Sequence, residues 1–364
     1  MVKKLKTFTL NVVAGANIAT IAMMLLSGFS DRVSPEKLSW MPVAGMLFPV
    51  FLLLNLAFLV FWILVKWRRA WIPVVGYALA YVPITIYLPL HPPATHPEKT
   101  LKIISYNVCA YGGNYKYKDA FERIISYLDA EQPDIVCFQE DIDTWRRYVF
   151  QTFEKSYPYN DTLHFTKRPS LLNGVGIHSK FPILRRERIV YPSKNNGSVA
   201  YYLLVEGDTV LVVNNHLEST HLNNKDRQLY ETMIKGKMER DTMKNESLIL
   251  AGKLKSASVT RARGAEAVHS YIAAHSQYPT IVLGDFNDPP ISYTHHIIGK
   301  GLTDCFSASG RGIGLSYNRK GYFFRIDHIF CSSHFEPVDC KVDSKIDYSD
   351  HYPLLCWLKF KDNY

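Results

Sequence analysis

Between Phe48 and Val65 the chain reads FPVFLLLNLAFLVFWILV, an apolar run that contains no charge. Such a run cannot be a surface helix, whose outer face is polar, and leaves a buried core helix or a membrane span. Two neighbouring stretches favour the span. Phe8 to Phe29 and Trp71 to Leu90 are also apolar, and a hydrocarbon core about 30 Å thick needs a helix of roughly 20 such residues. Residues 1–90 are therefore expected to form a membrane anchor of three transmembrane helices, at about 8–29, 42–65 and 71–90. The first run is interrupted by Asn11, Asn17 and Thr20, and Lys3, Lys4 and Lys6 ahead of it would also suit a cleaved leader. No small-residue cleavage site follows Phe29, so three retained spans are the expectation.

Charge orients these spans, because Lys and Arg near span ends favour the cytoplasmic side. Lys3, Lys4 and Lys6 place the N-terminus inside, and Lys66, Arg68 and Arg69 place the second connection inside as well. Three crossings then put everything after Leu90 on the extracytoplasmic face of a multi-pass membrane protein. Trp40, Trp67, Trp71 and Tyr87 fall where interfacial aromatic residues are expected. The net charge of +9 does not argue for a nucleic-acid surface. Residues 1–99 hold 9 Lys+Arg against 3 Asp+Glu, or +6, and residues 100–364 hold 33 against 30, or +3. Most of the excess flanks the membrane.

HPPATHPEKT, residues 91–100, is polar and rich in proline, which suits a short stiff linker. Beyond it the composition becomes that of a soluble globular domain, residues 101–364. LKIISYNV, DIVCFQE, VGIHSKFPI, VAYYLLVE, TVLVVNNHLE, YPTIVLGDFN, FRIDHIFCS and HYPLLCWLKF are strand candidates. DAFERIISYLDAEQP spaces Phe121, Ile124, Ile125 and Leu128 as a helix does, with Pro133 just past its end. Residues 218–278 are polar and helix-forming, and two or three helices are expected there. The pattern is α/β with two sheets. The six cysteines form no CxxC pair, so a zinc site is not expected. Free structural thiols are the expectation, with an oxidised pair such as Cys331–Cys340 the alternative.

Polar and acidic residues recur at the C-terminal ends of these strands, where open α/β sheets place their sites. In chain order they are SYNV (105–108), FQE (138–140), NNHLE (214–218), GDFN (284–287), RIDHI (325–329) and SDH (349–351). This ordered set resembles the successive motifs of the endonuclease/exonuclease/phosphatase superfamily, which includes DNase I-like nucleases, sphingomyelinases and inositol-polyphosphate phosphatases. The resemblance implies a DNase I-like four-layer α/β sandwich, two packed β-sheets flanked by helices. It also implies a hydrolase acting on phosphate esters.

The residue types suit that chemistry. Cleaving a phosphate ester needs a cation to neutralise the non-bridging oxygens, a base to activate water, and donors that align the phosphate. Mg²⁺ takes oxygen ligands and keeps several waters, so one or two carboxylates suffice; Mn²⁺ is a natural substitute. Glu140, at the end of an apolar strand, is the first candidate ligand, and the resemblance adds Asn107 and Asp350. It also implies that His351 handles a proton with Asp327 against it. Asp285 and Asn287 then face the phosphate and the water, and His216 donates to a phosphate oxygen or the leaving group. Asn107, Asn287 and Tyr111 are expected to contact substrate. His328 is expected to point away from Asp327, its chain neighbour. Arg261 and Arg263 either reach an anionic substrate or decorate a helix. The expected substrate is a phosphodiester in nucleic acid or in a lipid headgroup, and a phosphomonoester is the alternative. An inactive binding module would lack ligands, whereas all eight proposed polar groups are chemically competent.

Overall fold

Apolar side chains with no polar face to offer water dominate the first helices of the computed structural model. It describes residues 2–361 apart from 96, 98, 113–116, 143–152, 154, 167–173, 221, 223, 235–239 and 320–323. The N-terminal region consists of α1 (Val2–Gly28), α2 (Met41–Met46), α3 (Phe48–Lys66), α4 (Trp71–Leu79) and α5 (Tyr81–Tyr87). Two of its helical stretches, Lys3–Arg32 and Phe48–Arg69, are long and apolar enough to cross a membrane. The third expected span is not one helix, because the chain breaks at Ala80 between α4 and α5. Pro83 gives the reason: it has no N–H for the Leu79 carbonyl, and its ring crowds that carbonyl. The second expected span likewise starts at Phe48 instead of Pro42, since Pro49 cannot donate to Gly45. Inside the bundle Asn17 Nδ2 donates to Asn55 Oδ1 at 3.0 Å, and Trp62 Nε1 donates to Asn17 Oδ1 at 3.1 Å.

The larger part is a sandwich of two six-stranded sheets. One contains β1 (Leu101–Asn107), β2 (Ile135–Asp141), β3 (Tyr159–His164), β4 (Gly174–Ser179), β11 (Phe335–Val342) and β12 (Leu354–Phe360), in the order β11-β12-β1-β2-β4-β3. The other contains β5 (Ile183–Ile189), β6 (Gly197–Val205), β7 (Asp208–His216), β8 (Thr280–Asp285), β9 (Thr303–Asp304) and β10 (Asp327–Cys331), in the order β5-β6-β7-β8-β10-β9. Each sheet has a parallel pair at its centre, β1–β2 and β7–β8, flanked by antiparallel neighbours. A parallel pair needs a crossover, which α6 (Ala120–Glu131) supplies in the first sheet. In the second, α7 (Asn224–Ile234) and α8 (Arg240–Ala274) supply it. The short helices α9 (Tyr293–Ile298) and α10 (Cys305–Ser309) follow β8 and β9.

The central core lies between the sheets, where Ile103, Cys137, Ile177 and Leu354 meet Val199, Val212, Leu283 and Ile329. Phe121, Ile124 and Leu128 of α6 cover the outer face of the first sheet. Ala265, Val268 and Ile272 of α8 cover that of the second. The result is four layers, as expected. All six cysteines are free and buried, so the Cys331–Cys340 alternative is not realised. The N-terminal helices dock against the sandwich around Ile291, which packs with Met24, Phe48 and Ala80. A Cβ on Gly45 would lie 2.5 Å from the Ile291 carbonyl oxygen, so only glycine allows this approach.

Candidate active site

The register of the second sheet aligns three functional side chains. His216 on β7 and Asp327 on β10 are both paired with Asp285 on β8, and residues opposite one another in a sheet share a face. Gly284 makes the approach possible: its φ is 129°, and a Cβ there would lie 2.0 Å from the Asn215 carbonyl oxygen. The next row points the other way. His328 contacts the Asp288 carbonyl oxygen at 2.9 Å, and burial holds its pKa well below the usual histidine value, so it is a neutral structural group.

The first sheet brings in Asn107 and Glu140. Glu140 sits in a β-bulge between β2 and β4 with φ 55°, and the bulge turns its side chain towards the second sheet. Asn107 Nδ2 lies 3.2 Å from Glu140 Oε1 and 3.0 Å from Asp285 Oδ2, joining the two sheets' carboxylates. Below them Gln139 donates to Asn214 Oδ1 at 2.8 Å, and Asn214 donates to the carbonyls of Phe138 and Gly176. These buried amides clamp one sheet to the other directly beneath the site.

The loop before β12 completes the arrangement. His351 Nδ1 is 2.8 Å from Asp327 Oδ2, and its Nε2 is 3.7 Å from Asp285 Oδ2. His216 Nε2 is likewise 3.7 Å from Asp285 Oδ2 and 3.8 Å from Glu140 Oε1. Asp285 Oδ2 thus has an imidazole on each side, while its Oδ1 accepts the Asn287 N–H at 2.8 Å. Asn287, with φ 53°, turns its amide to donate to the Leu217 carbonyl at 3.0 Å. Ser349 donates to the Asn107 carbonyl at 2.7 Å and accepts from the His351 N–H, tying the loop to β1. Arg319 lies 3.1 Å from Asp350 Oδ2.

Burial sets the electrostatics. It raises the Glu140 carboxyl, reinforced by the charge of Asp350, to about 8. Burial also raises Asp285, and His351 opposes that rise. For His351 burial favours the neutral ring, but Asp327 and Asp285 overcome it and lift the pKa to about 10. Asp350 is lowered despite burial by His351 and Arg319. Buried carboxylates that repel one another fit an oxygen-preferring divalent cation, which relieves the repulsion. Two donor groups could hold one: Glu140 with Asp350 and Asn107, or Asp285, Asp327 and His351, whose ligand atoms lie within 4.8 Å of one another.

The structure does not bring Tyr111 to this site. Its hydroxyl donates to Asp141 Oδ1 at 2.8 Å, and its ring packs edge-on against Phe121 and Phe138 in the core. Cys109–Gly112 is one helical turn with every φ positive, which folds Tyr111 inward. Arg261 is a brace and not a surface group: Nη2 is 3.0 Å from Asp288 Oδ1, and Nη1 donates to the Glu218 carbonyl. Sequence reasoning missed Arg319 and gave no separate role to Gln139 of FQE, to Ser349 of SDH or to Tyr317, whose ring packs edge-on to His351. The nearest signal for Arg319 was a pair of basic residues in SYNRKG, which does not reveal a carboxylate partner 31 positions away.

Fold and site together define a DNase I-like sandwich with an acidic, imidazole-bearing centre at one end of its strands. Residues 104–351 match the Endonuclease/Exonuclease/phosphatase family, and the chain belongs to that family, whose members are typically phosphoesterase hydrolases. Residues 10–87 match a second family, Domain of unknown function (DUF8431). Among solved structures, the human Nocturnin catalytic domain with bound sulfate anion is similar with TM-score 0.52 and 16% identity, covering 74% of this chain and 97% of that one. An endonuclease/exonuclease/phosphatase from Beutenbergia cavernae gives 0.53 and 16%, covering 72% of each chain. One from Bacteroides vulgatus gives 0.52 and 14%, covering 72% of this chain and 100% of that one. At these identities the likeness is one of fold. No curated protein matches by sequence.

Proposed function

We propose that this chain is a membrane-held, divalent-metal-dependent phosphoesterase that hydrolyses a phosphodiester, with a lipid headgroup ahead of nucleic acid as substrate. One observation carries the reading: Asn107, His216 and His351, from three separate motifs, all converge on Asp285 Oδ2. Asp285 takes the proton of the attacking water, and its raised pKa makes it a better base than an exposed aspartate. His351, held protonated by Asp327 and Asp285, enters as a cationic donor to the charge developing on phosphorus-bound oxygens. His216 and Asn287 orient the phosphoryl group or the leaving oxygen. Glu140, Asp350 and Asn107 would hold Mg²⁺, with Mn²⁺ substituting, and the cation would supply Lewis-acid neutralisation of the phosphate. Asp327 is already engaged by the His351 ring, which favours this set over Asp285, Asp327 and His351.

The anchor supports the lipid preference by keeping the domain beside a bilayer. Only 22% and 17% of the two most apolar helical windows is buried, whereas a core helix would be mostly covered. Lys66, Arg68 and Arg69 lie at the end of α3 remote from the docked sandwich, which supports an extracytoplasmic face for the catalytic part. The full chain in lipid nanodiscs is expected to hydrolyse a bis-aryl phosphate only with Mg²⁺ or Mn²⁺, and to prefer sphingomyelin or inositol phospholipid over DNA and RNA. Silence across that panel with metal present ends the hydrolase reading. Preference for nucleic acid or for phosphomonoesters replaces the substrate and leaves the chemistry intact.

A further inference from the structure

On α8, Arg263 reaches Glu36 in the connection between α1 and α2 at 2.6 Å, so the face bearing Arg263 looks towards the N-terminal helices. A helix advances about 100° per residue, which puts Asn245, Gly252 and Ser256 within about 20° of that line and Leu248 and Ile249 within about 60°. All five are exposed, Leu248 by 64% and Ile249 by 52%, and none is charged. Arg261, on the opposite side of the helix, is buried against Asp288 and Glu218, and Lys253, on the flank about 80° from that line, pairs with Asp226 of α7. The uncharged stripe therefore continues, for about 21 Å from Arg263 to Ile249, the direction in which the anchor lies.

Resting on the membrane reading above, we propose that this face of α8 lies on the bilayer surface, with Leu248 and Ile249 in the headgroup–acyl boundary. Continuity with the anchor contact selects the bilayer as occupant. Ser30–Arg32, α2 and the end of α5 all meet the sandwich on one side, with His296 lying 3.5 Å from Asp31 and Arg325 donating to the Ile86 carbonyl at 2.6 Å. A bilayer enclosing α1 and α3 begins on that side. Leu248 and Ile249, exposed on a face free of charge, would withdraw apolar surface from water at such a boundary. Arg261 on the opposite face holds Asp288, which directly follows GDFN, and the carbonyl of Glu218, the last residue of NNHLE, so membrane contact would steady the helix that braces the site.

Spin labels on the full chain in phosphatidylcholine–phosphatidylglycerol vesicles test this, since all six native thiols are buried and labelling goes to an introduced one. Labels are placed by Ile249→Cys, by Leu53→Cys on the exposed side of α3, and by Asp208→Cys at the far end of β7. The ratio of collisions with oxygen to collisions with an aqueous nickel chelate is expected to be about threefold or more higher at 249 than at 208. A lipid-like ratio at 53 with a water-like ratio at 249 overturns the inference and leaves the anchor standing. A water-like ratio at 53 overturns both. An immobilised label at 249 with dipolar broadening between copies assigns the stripe to a second chain and also overturns it.

Discussion

Asp285 accepts from Asn107 and from the Asn287 N–H, and lies between two imidazoles. Asp285→Asn keeps the side chain's shape but removes the proposed base, and is expected to lower kcat by about 10²–10⁴-fold with little change in melting temperature. Rates from purified protein in nanodiscs check this, and an unaltered kcat would remove Asp285 from the chemistry. Its neighbour tests packing instead. Gly284→Ala places a methyl 2.0 Å from the Asn215 carbonyl at φ 129°, and is expected to cost about 1–3 kcal/mol or more in thermal stability. Tyr111→Phe separates the two roles assigned to Tyr111: loss of a buried donor to Asp141 should cost about 1–3 kcal/mol while KM stays put. A raised KM would return Tyr111 to the substrate surface. Tyr111 stands a few positions past a site motif in the sequence, and nothing there shows the run of positive φ that turns it inward. Glu140 was legible as a strand-end carboxylate, but the bulge that aims it was not, since a bulge depends on the partner strand.

The strands that sequence reading found are the buried ones. β1, β2, β4, β6, β7, β8, β10 and β12 carry apolar runs because both of their faces are covered. The strands it passed over, β3, β5, β9 and β11, are all sheet edges. YNDTLH, ILRRERI and FEPVDCKV carry the charges that keep an edge from pairing with another chain, and those charges erase the apolar alternation. Helix number in 218–278 was within the expected range, two being described, whereas the task of α8 was hidden. Arg261, equally at home on a helix surface or in contact with a ligand, is fully buried and holds the loops that follow His216 and Asp285. Arg261→Ala leaves Asp288 buried without its cation and is expected to lower stability by about 3–5 kcal/mol. Thermal melts of the nanodisc protein, read with a thiol-reactive dye on the six buried cysteines, check this. A change below the error of the melt would make the brace ornamental.

Across the whole molecule, the metal-free site makes stability depend on pH. Glu140 titrates at about 8 in the folded chain against 4.5 in the open one, so the native state holds a proton that the unfolded chain has lost between those values. His351 titrates at about 10 against 6.5, and the folded state again keeps the extra proton. Whenever the native state binds more protons, raising the pH destabilises it, by about 1.4 kcal/mol per pH unit for each unmatched proton. Both contributions act between 6.5 and about 8, the stability linked to His351 being fully present below 6.5 and lost as pH rises through about 10. The chelator-treated protein should therefore melt at lower temperature at pH 8.5 than at pH 6. A divalent cation binds the ionised carboxylates, so the increase in melting temperature on adding Mg²⁺ should be larger at pH 8.5. In Glu140→Gln the carboxyl contribution disappears: the slope between pH 5 and 6.5 should flatten, the His351 contribution above it should persist, and the response to Mg²⁺ should shrink. An Mg²⁺ response equal at both pH values, or unchanged in Glu140→Gln, would place the cation somewhere other than beside Glu140.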